Sequence, residues 1–377
     1  MNALSGWKAR VGILGASGYT GADLIRLLAR HPNVEIVLLS AERKAGQAAD
    51  NVFPHLGGLG LPAMISVADI EWPAVELDVA FCALPHATSQ EVIKGMMHAT
   101  GHGLLDEMII ETNADYADRM QGEVKIIDLS ADFRLRDTAT YSKWYGREHQ
   151  AKDLQPRAVY GLPELNRDKI RSAHLVACPG CYPTAALLAL VPLLRAGIIS
   201  SEDIIIDAKS GVSGAGRSLK ESNLYCETAD SMTPYGVGHH RHMPEIEQEL
   251  AQAAGSDVTI SFTPHLVPMN RGELETIYVQ LSADMKAEDI RAVWLSTYAD
   301  DSFIRVLDEG SMPSTNMVRG SNVCALNAFN DRRSGRAIIV AAIDNLVKGS
   351  SGQAVQNMNL MLGLDETTGL DQIAMFP

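Results

Sequence analysis

The first forty residues alternate between short apolar runs and breaks marked by glycine or proline. Residues 11–14 read as a buried strand, and Gly15, Gly18 and Gly21 follow it with the spacing G-x-x-G-x-x-G. An apolar stripe at helical spacing comes next, and a second apolar run covers residues 34–39. The pattern predicts a strand, a glycine turn, a helix and a second strand, in that order.

A glycine turn between a strand and a helix is typical of dinucleotide binding. The glycines let the backbone approach a pyrophosphate, and the helix N-terminus offers N–H groups and a positive dipole end. A tight turn without a ligand is the alternative interpretation. The predicted cofactor-binding residues in this region are Gly15, Ser17, Gly18, Tyr19, Thr20, Gly21, Ser40, Arg43 and Lys44.

The residues after the second predicted strand indicate which dinucleotide is bound. An NAD site usually places a carboxylate on the ribose 2′-hydroxyl at this point. Here Ser40 is followed by Glu42, Arg43 and Lys44, and a hydroxyl with two cations suits a 2′-phosphate. The sequence therefore favours NADP(H), although Glu42 points the other way and two cations are also common on a solvated turn.

Two further apolar runs, at residues 79–86 and 124–135, read as strands of the same parallel sheet. The second run ends in polar residues, which include Ser130, Asp132 and Arg134. Ligands of open α/β sheets bind beyond the carboxyl ends of the strands, so Arg134 is a candidate for an anionic substrate. An ion pair with a neighbouring acid is the competing interpretation.

The stretch CPGCYPT, residues 178–184, precedes the apolar run AALLALVPLL. Because proline is favoured at a helix start, Pro183 places Cys181 at, or just before, a helix N-terminus. That position lowers the pKa of a thiol, and N–H groups nearby are suited to hold an oxyanion. The pattern favours Cys181 as a nucleophile and Cys178 as a bystander. A zinc site, a C-x-x-C redox pair and two inert cysteines are the alternatives.

A nucleophilic thiol needs a proton acceptor, and the stretch HHRHMPEI offers several. His240 and His242 lie two apart on a segment that we predict to be extended, so that both side chains point the same way. Glu245 follows in a predicted helix that begins near Pro244, and it is placed to orient one of the histidines. A polar loop without a catalytic role is the alternative.

Three loops carry arginines that suit a substrate with carboxylate and phosphate groups. The loop SGVSGAGRSLK, residues 210–220, holds Arg217 together with Ser213 and Gly214, which we assign to cofactor binding. The other two loops contain Arg271 and Arg319.

Composition narrows the class of protein. The 377 residues carry a net charge of −14, which argues against a nucleic-acid-binding surface. No apolar run is long enough for a membrane span, and no secretion signal is visible, so we expect a cytoplasmic protein. Five cysteines in such a chain do not suggest a disulfide framework, and we expect no metal.

The motifs together resemble a known family. The segments that carry the likeness are ILGASGYTGADLIRLL, IDLSADFRL, WYGREHQ, VYGLPELNR, PGCYPTAALLAL, SGVSGAGR, HRHMPEIEQ, FTPHLVPMNRGEL, VRGSN and DNLVKGSSGQAVQNMN. They resemble, in order from about residue 10 to 362, N-acetyl-γ-glutamyl-phosphate reductase. Aspartate-semialdehyde dehydrogenases are the wider kin. The chain departs from the family pattern in an extra segment near residues 97–121 and in Cys178.

The resemblance implies an α/β protein of two domains. A Rossmann-type NADP-binding domain would comprise residues 1–177 and 345–377. An inserted α+β domain, residues 178–344, would carry catalysis and the contacts of a homo-oligomer, a dimer or tetramer. The family's nucleophile falls on Cys181 and its catalytic histidine on His240, with supporting residues at His242, Glu245, Arg134, Arg217 and Arg271.

The implied activity is NADPH-dependent reduction of N-acetyl-L-glutamyl 5-phosphate to the 5-semialdehyde through a cysteine thioester, in arginine biosynthesis. Two alternatives stay open at this point. One is reduction of another acyl phosphate, either aspartyl phosphate or a carrier-bound aminoadipyl or glutamyl phosphate. The other is a non-catalytic NADP(H) sensor, which would be expected to lose the cysteine or the histidines, and both are present.

Overall fold

The computed structural model describes residues 7–99 and 124–377. By its internal contacts the chain divides into two compact units. Unit 1 comprises residues 1–178 and 354–369, and unit 2 comprises residues 179–353 and 370–377.

These bounds assign the end of the chain differently from the division made on the sequence. Residues 345–353 and 370–377 belong to unit 2 by contact, whereas the sequence-based division gives them to the first domain. The extra segment expected near residues 97–121 lies, from residue 100 onward, outside the described residues.

Unit 1 is built on a parallel sheet of seven strands in the order β3-β2-β1-β4-β5-β7-β6. The central strands are buried along nearly their whole length, as expected for a parallel sheet covered on both faces. The strands are β1 (Ala9–Leu14), β2 (Val34–Ser40), β3 (Met64–Ile65), β4 (Val79–Cys82), β5 (Lys125–Asp128), β6 (Ala158–Tyr160) and β7 (Leu175–Ala177). The helices are α1 (Tyr19–Leu28), α2 (Ala49–Val52), α3 (Ser89–Ala99), α4 (Thr138–Tyr145) and α5 (Pro163–Arg171).

Unit 2 is built on a mixed sheet, also of seven strands, in the order β12-β13-β14-β11-β8-β10-β9. The strands are β8 (Ile204–Gly211), β9 (Thr233–Pro234), β10 (Ile260–Val267), β11 (Glu273–Gln280), β12 (Ile304–Val306), β13 (Cys324–Asn330) and β14 (Arg336–Ile343). The helices are α6 (Cys181–Arg195), α7 (Tyr225–Thr228), α8 (Met243–Ala254) and α9 (Ala287–Thr297). A π-helical turn, Val347–Ser351, leads into α10 (Gly352–Met361).

Helix α6 forms the centre of unit 2. It is apolar on nearly all sides and packs against α8, α9, β11 and β14. Pro192 lies inside it and has no N–H to offer the Leu188 carbonyl one turn earlier. The Tyr298 hydroxyl donates to that carbonyl at 2.7 Å, and the Trp294 ring donates to Ala189 O at 2.9 Å. Two side chains near the end of α9 thereby fix α6 at the place where its own ladder is broken.

After residues 179–353 of unit 2, the chain returns to unit 1 with residues 354–369. In α10 the Asn357 amide donates to Gly161 O at 2.9 Å, and Asn359 Oδ1 lies 3.0 Å from His31 Nε2. All of these groups belong to unit 1. The last helix therefore supplies buried hydrogen bonds to the strands and loops of the N-terminal half.

No helix in residues 7–99 and 124–377 is both long enough and apolar enough to cross a membrane.

Candidate active site

Cys181 is the first residue of α6, as the proline pattern predicts, and its side chain is half-buried. The residue before it, Gly180, is extended and provides no side-chain cap. The sulfur thus lies at the positive end of the helix dipole, next to N–H groups that have no partner within the helix, and both features favour negative charge there.

The backbone around Cys181 is held firmly. The Gly180 N–H donates to Glu245 Oε1 at 2.9 Å, and the Gly180 carbonyl accepts from the Thr184 N–H at 3.0 Å and its hydroxyl at 2.9 Å. A Cβ on Gly349 would lie 2.7 Å from Cys181 Cβ, so only glycine fits there. Glu245, expected to orient a histidine, thus accepts a hydrogen bond from the backbone that precedes the thiol.

The two histidines flank the start of α6. A Cβ on Gly180 would lie 2.4 Å from His242 Nε2, so the His242 ring covers this glycine. The His240 ring contacts His242 with 4.8 Å between centroids, and Tyr182 with 5.8 Å. The segment is a turn rather than the extended chain that we predicted, and His242 itself has helical backbone angles. The prediction of an extended segment is wrong because the chain turns just before α8 begins. This turn nevertheless brings the rings of His240 and His242 into contact.

His240 is neutral over the physiological range. Burial is the main cause that lowers its pKa to about 4, and the nearby Arg241 and His239 lower it further. Its Nδ1 accepts the His242 backbone N–H at 3.2 Å. An accepting ring nitrogen carries no proton, so the neutral ring carries its proton on Nε2 and donates from there.

Two tyrosines line the same region, and sequence reasoning missed both. The Tyr235 hydroxyl donates to the Tyr182 hydroxyl at 3.1 Å. Burial raises the pKa of each, so both hydroxyl groups keep their protons. Tyr182 was visible in the CPGCYPT motif itself, as the neighbour of the cysteine.

Two buried carboxyl groups on β11 were also missed. The side chains of Glu273 and Glu275 are fully buried, and in the described ranges none of their carboxylate oxygens has a partner at strict hydrogen-bond geometry, although the Cys181 thiol interacts with the Glu273 carboxyl group. The alternation ELETIYVQ holds the signal, because these residues lie on the same face of the strand as Ile277 and Val279. When the alternation of buried and half-buried positions in a strand includes acidic residues at the buried positions, it predicts buried carboxyl groups.

The arginines of unit 2 lie in different settings. Arg271 Nη1 is 3.6 Å from the buried Asp344, whose carboxylate also accepts backbone N–H groups of the turn at residues 346–347. Arg217 is exposed on the loop that follows β8. Arg319 donates to the backbone oxygens of Met375 and Pro377, so it holds the end of the chain.

The loop assigned to the cofactor in unit 2 packs against its neighbours. Ser213 Oγ accepts from the Asn345 amide at 3.0 Å, and a Cβ on Gly214 would lie 2.8 Å from Ser210 Oγ. The hydroxyl and the glycine are therefore part of a compact turn beyond β8.

In unit 1 the glycine turn is closely packed, and two of its three positions have no room for a side chain. Gly15 has a φ of +85°, and a Cβ there would lie 2.3 Å from Ala83 O. A Cβ on Gly21 would lie 2.6 Å from Gly15 O. Among the described residues, by contrast, only the Gly15 carbonyl lies within 4 Å of a Cβ built on Gly18, at 3.5 Å. The outer two glycines therefore shape the turn, and the contact of Gly18 and the α1 N-terminus with a pyrophosphate stays a prediction.

The other predicted cofactor residues lie around this turn. Ser17 and Thr20 are half-buried at the start of α1, and Tyr19 is exposed. Ser40 is fully buried, and its hydroxyl accepts the Gly15 N–H at 3.3 Å, so it supports the turn. Arg43 is exposed and Lys44 half-buried in the turn after β2.

Arg134 is hydrogen-bonded to the backbone of Cys178. Arg134 is 6 % exposed, and its guanidinium donates to Cys178 O at 2.7 Å and to Leu129 O at 3.1 Å. These two bonds tie the ends of β5 and β7 together, so Arg134 supports the sheet here, and its assignment to the substrate stays a prediction. Burial raises the pKa of the Cys178 thiol to about 12, which keeps it protonated. In the described parts of the chain, no cluster of three or more His, Cys, Asp or Glu side chains is arranged to hold a metal ion.

Comparisons with known proteins agree with the two units. Residues 10–173 match the family described as semialdehyde dehydrogenase, NAD binding domain, and residues 181–345 match semialdehyde dehydrogenase, dimerisation domain. The crystal structure of aspartate semialdehyde dehydrogenase II from Vibrio cholerae covers 94% of this chain and is itself covered to 98%, with a TM-score of 0.67 at 18% identity. That of aspartate semialdehyde dehydrogenase with NADP from Candida albicans has the same coverage, a TM-score of 0.65 and 17% identity. These likenesses confirm the predicted fold class.

Sequence relatives are much closer. A probable chloroplastic N-acetyl-γ-glutamyl-phosphate reductase from Arabidopsis thaliana is 53% identical over 368 residues, which is 98% of this chain and 85% of the relative. An N-acetyl-γ-glutamyl-phosphate reductase from Rhodospirillum rubrum is 53% identical over 370 residues, 98% of this chain and 99% of the relative. This chain is therefore a nicotinamide-dependent oxidoreductase of the semialdehyde dehydrogenase family, and within it belongs to the N-acetyl-γ-glutamyl-phosphate reductases.

Proposed function

We propose that the protein reduces N-acetyl-L-glutamyl 5-phosphate with NADPH, giving N-acetyl-L-glutamate 5-semialdehyde and phosphate, as a step of arginine biosynthesis. The observation that carries the proposal is Cys181 at the start of α6, enclosed by Gly180, Gly349 and the two histidines. The substrate is inferred from the names of relatives that share about half of the sequence over its whole length.

Cys181 is the proposed nucleophile. Its thiolate attacks the acyl carbon, the bond from that carbon to the phosphate oxygen breaks, and phosphate leaves and takes up a proton from water. The product of this step is a thioester on Cys181, which keeps the acyl group attached and makes its carbonyl a better hydride acceptor than a carboxylate. When bound, the nicotinamide supplies the hydride that reduces this carbonyl.

The chain's own groups then stabilise the tetrahedral oxyanion. Backbone N–H groups at the start of α6 and the Nε2–H of His240 are the proposed donors, because the helix start has no side-chain cap and the neutral ring carries its proton on Nε2. Collapse of the oxyanion forms the aldehyde and breaks the carbon–sulfur bond, which returns the thiolate. This step needs hydrogen bonds to the oxyanion but no proton transfer from His240.

The dinucleotide fits unit 1, and the turn after β2 favours NADP(H). The one acid in that turn, Glu42, accepts from the Ser66 hydroxyl at 2.9 Å and from the Val67 N–H at 3.0 Å. A carboxylate bound in this way is occupied by the chain, so it is not a good partner for a ribose 2′-hydroxyl. Arg43 and Lys44 form no ion pair with another residue in the described ranges, and we propose that they bind the 2′-phosphate.

The experiment that tests the substrate runs the reaction in the oxidative direction. NADP⁺ reduction is followed with N-acetyl-glutamate semialdehyde and phosphate, and in parallel with aspartate semialdehyde and phosphate. Activity with the acetylated aldehyde alone supports the proposal. Activity with aspartate semialdehyde alone would move the protein to the sister enzymes, and tight NADPH binding without turnover of either would indicate a carrier-bound substrate or a sensor.

The nucleophile is tested by Cys181→Ser with Cys178→Ala as the matched control. We expect Cys181→Ser to bind NADPH normally and to lose several orders of magnitude in kcat, since a serine hydroxyl at this place is far less ionised than a thiol. Cys178→Ala should keep most of its turnover, because the thiol that it removes is buried and protonated. Near-normal turnover by Cys181→Ser would contradict the thioester mechanism.

The cofactor preference and the assembly have separate tests. Replacing Arg43 and Lys44 with serine should raise the KM for NADPH and leave that for NADH nearly unchanged. Equal effects on both cofactors would contradict the assignment. We also propose a homo-oligomer assembled through residues 181–345, which match a dimerisation domain, and light scattering after size exclusion would give its mass.

A further inference from the structure

Asp344 directly follows strand β14, and its carboxylate is fully buried. Oδ1 accepts the N–H groups of Leu346 and Val347 at 2.8 and 3.1 Å, and Oδ2 accepts the Gly320 N–H at 2.6 Å. These bonds fasten the turn after β14 and the turn before β13 to one side chain. They also compensate the carboxylate for the hydration that it loses on burial.

A further partner of this carboxylate is a cation that is partly exposed. Arg271, in the loop between β10 and β11, has its Nη1 3.6 Å from Asp344 Oδ1. The Arg271 side chain is 28% exposed, whereas that of Asp344 is 0% exposed. A guanidinium is planar and carries five N–H groups, so one buried anion can fix its orientation while the exposed part of the group meets a ligand.

The main chain of Asp344 is connected to the candidate nucleophile. The Asp344 carbonyl accepts the Gly349 N–H at 3.0 Å. A Cβ on Gly349 would lie 2.7 Å from Cys181 Cβ, so this glycine packs directly against the cysteine. Asp344 therefore contacts Arg271 with its side chain and, with its carbonyl, the glycine that touches Cys181.

The backbone of the Arg271 loop is fixed by the next residue, Asn345. Its Oδ1 accepts the Gly272 N–H at 2.8 Å. Gly272 has a φ of +110°, and a Cβ there would lie 2.7 Å from Thr315 Cβ, so this position is confined to glycine. The main chain beside Arg271 is thus set by Asn345, and the direction of its side chain is set by Asp344.

We propose that Asp344 is a positioning residue, which holds the Arg271 guanidinium at a fixed place relative to Cys181 so that Arg271 binds an oxyanion of the substrate. That oxyanion is the phosphate or the carboxylate group, both of which arginine binds through paired N–H groups. The proposal deepens the function proposed above and rests on its assignment of Cys181 as the nucleophile. It concerns substrate binding and leaves the thioester chemistry as described.

Two effects of the Asp344 carboxylate oppose each other. An arginine side chain that is already ordered loses less conformational entropy when it binds a ligand. The carboxylate also repels a bound anion, but the three N–H groups that it accepts reduce this repulsion. The proposal requires that ordering outweighs repulsion, so removal of the charge should weaken the binding of the anion.

Strand β14 offers a matched control at its other end. Arg336 is the first residue of the strand, and its Nε lies 3.5 Å from Asp331 Oδ2. The eight residues of β14 span roughly 25 Å, which separates this pair from Asp344. Asp331→Asn therefore removes an ion pair of the same kind, at nearly the same distance, far from Arg271.

The experiment measures by titration calorimetry the binding of inorganic phosphate and, separately, of N-acetyl-L-glutamate. We expect Asp344→Asn to weaken one of the two anions by roughly tenfold, since ordering one long side chain costs about that factor, and Asp331→Asn to match the wild type. The anion that is weakened identifies the group that Arg271 binds. Unchanged or tighter binding of both anions by Asp344→Asn would overturn the proposal, as would a wild type that binds neither.

A double-mutant cycle tests whether Asp344 acts through Arg271. Arg271→Lys keeps the charge but loses the planar group, so it should weaken the same anion, and the double variant should bind it no more weakly than Arg271→Lys alone. Additive losses would overturn the proposal. If Asp344→Asn does not fold, Arg271→Lys decides alone, because wild-type affinity in that variant would show that an oriented guanidinium is not used.

Kinetics separate positioning from a general structural role. In the oxidative direction phosphate and the aldehyde are separate substrates, so Asp344→Asn should raise the KM of one of them and change kcat and the rate of Cys181 alkylation by iodoacetamide much less. Equal changes in both KM values and in alkylation would indicate a distorted site and overturn the proposal. Calorimetry does not depend on turnover, so failure of the acetylated aldehyde in the turnover assay is distinguishable from failure of Asp344.

Discussion

The charge of His240 decides which role the histidine can have, so its titration is the first prediction to test. A fall of its pKa from 6.5 to about 4 corresponds to roughly 3 kcal/mol, at about 1.4 kcal/mol for each pKa unit. At pH 7 the protonated fraction would be about 0.1%, compared with about a quarter for an ordinary histidine. The resting protein therefore has a neutral ring at this site.

The direction of the pH effect on stability follows from the lowered pKa. Between pH 6.5 and 4 the unfolded chain binds a proton on His240 that the folded chain does not. The contribution of the neutral ring is thus fully present above pH 6.5 and is lost as the pH falls toward 4. Relative to His240→Gln, the wild type should lose up to roughly 3 kcal/mol of unfolding free energy over this interval.

The direct assay is an NMR titration of the imidazole signals, with His240→Gln used to assign the His240 resonance. We expect the chemical shifts of the His240 ring to remain those of a neutral imidazole down to about pH 5. The ¹⁵N shifts should show a proton on Nε2, because Nδ1 accepts the His242 N–H. Titration near pH 6.5 would refute the argument from burial. A proton on Nδ1 would contradict the hydrogen bond from the His242 N–H and would leave Nε2 as the proton-accepting atom of the ring.

Three further predictions concern stability. Gly15→Ala should lower the free energy of unfolding by roughly 1–2 kcal/mol because of the positive φ, and further because the new Cβ overlaps Ala83 O. Thermal denaturation with and without NADPH would separate lost stability from lost cofactor binding. Tyr298→Phe should lower the unfolding free energy by about 1–3 kcal/mol in urea, because the Leu188 carbonyl loses its hydroxyl donor; an unchanged midpoint would show that another donor replaces it. Burial, with the neighbouring Glu273, raises the pKa of Glu275. The contribution of this group to the free energy of unfolding should therefore be greatest at or below about pH 4.5 and decline as the pH rises. Glu275→Gln should remove that decline, as measured by urea denaturation across this pH range.

The local frame of the site was predictable from the sequence. Glycine spacing and strand-like runs identified the turn before α1, and Pro183 placed Cys181 at a helix start, where the structure has it. Both predictions rest on short-range rules, in which a proline or a glycine constrains its own neighbours. The turn at His240 was predicted as extended because nothing in the sequence shows that it folds back on α8.

The partners of the polar side chains were not predictable in the same way. Arg134 was a candidate for the substrate, yet its guanidinium is bonded to carbonyl groups of two strand ends. Glu273 was not considered, although it lies beside the nucleophile. Cys178 lies 44 residues from Arg134 in the chain, and Cys181 is likewise remote from Glu273, so the strand order that brings each pair together depends on the whole sheet.

The return of α10 to unit 1 has a consequence for how the protein is made. Asn357 and Asn359 complete hydrogen bonds with Gly161 and His31, so the N-terminal half lacks these bonds until residues 354–369 have been synthesised. At about 5–20 residues per second, the intervening residues 179–353 separate the two parts of unit 1 by roughly 10–35 s of translation. During that interval the nascent chain holds an unfinished dinucleotide-binding unit while the cysteine-bearing unit is still emerging. A truncation that ends at residue 178 would reproduce this unfinished state, and it would be a poor substitute for the cofactor-binding half of the enzyme.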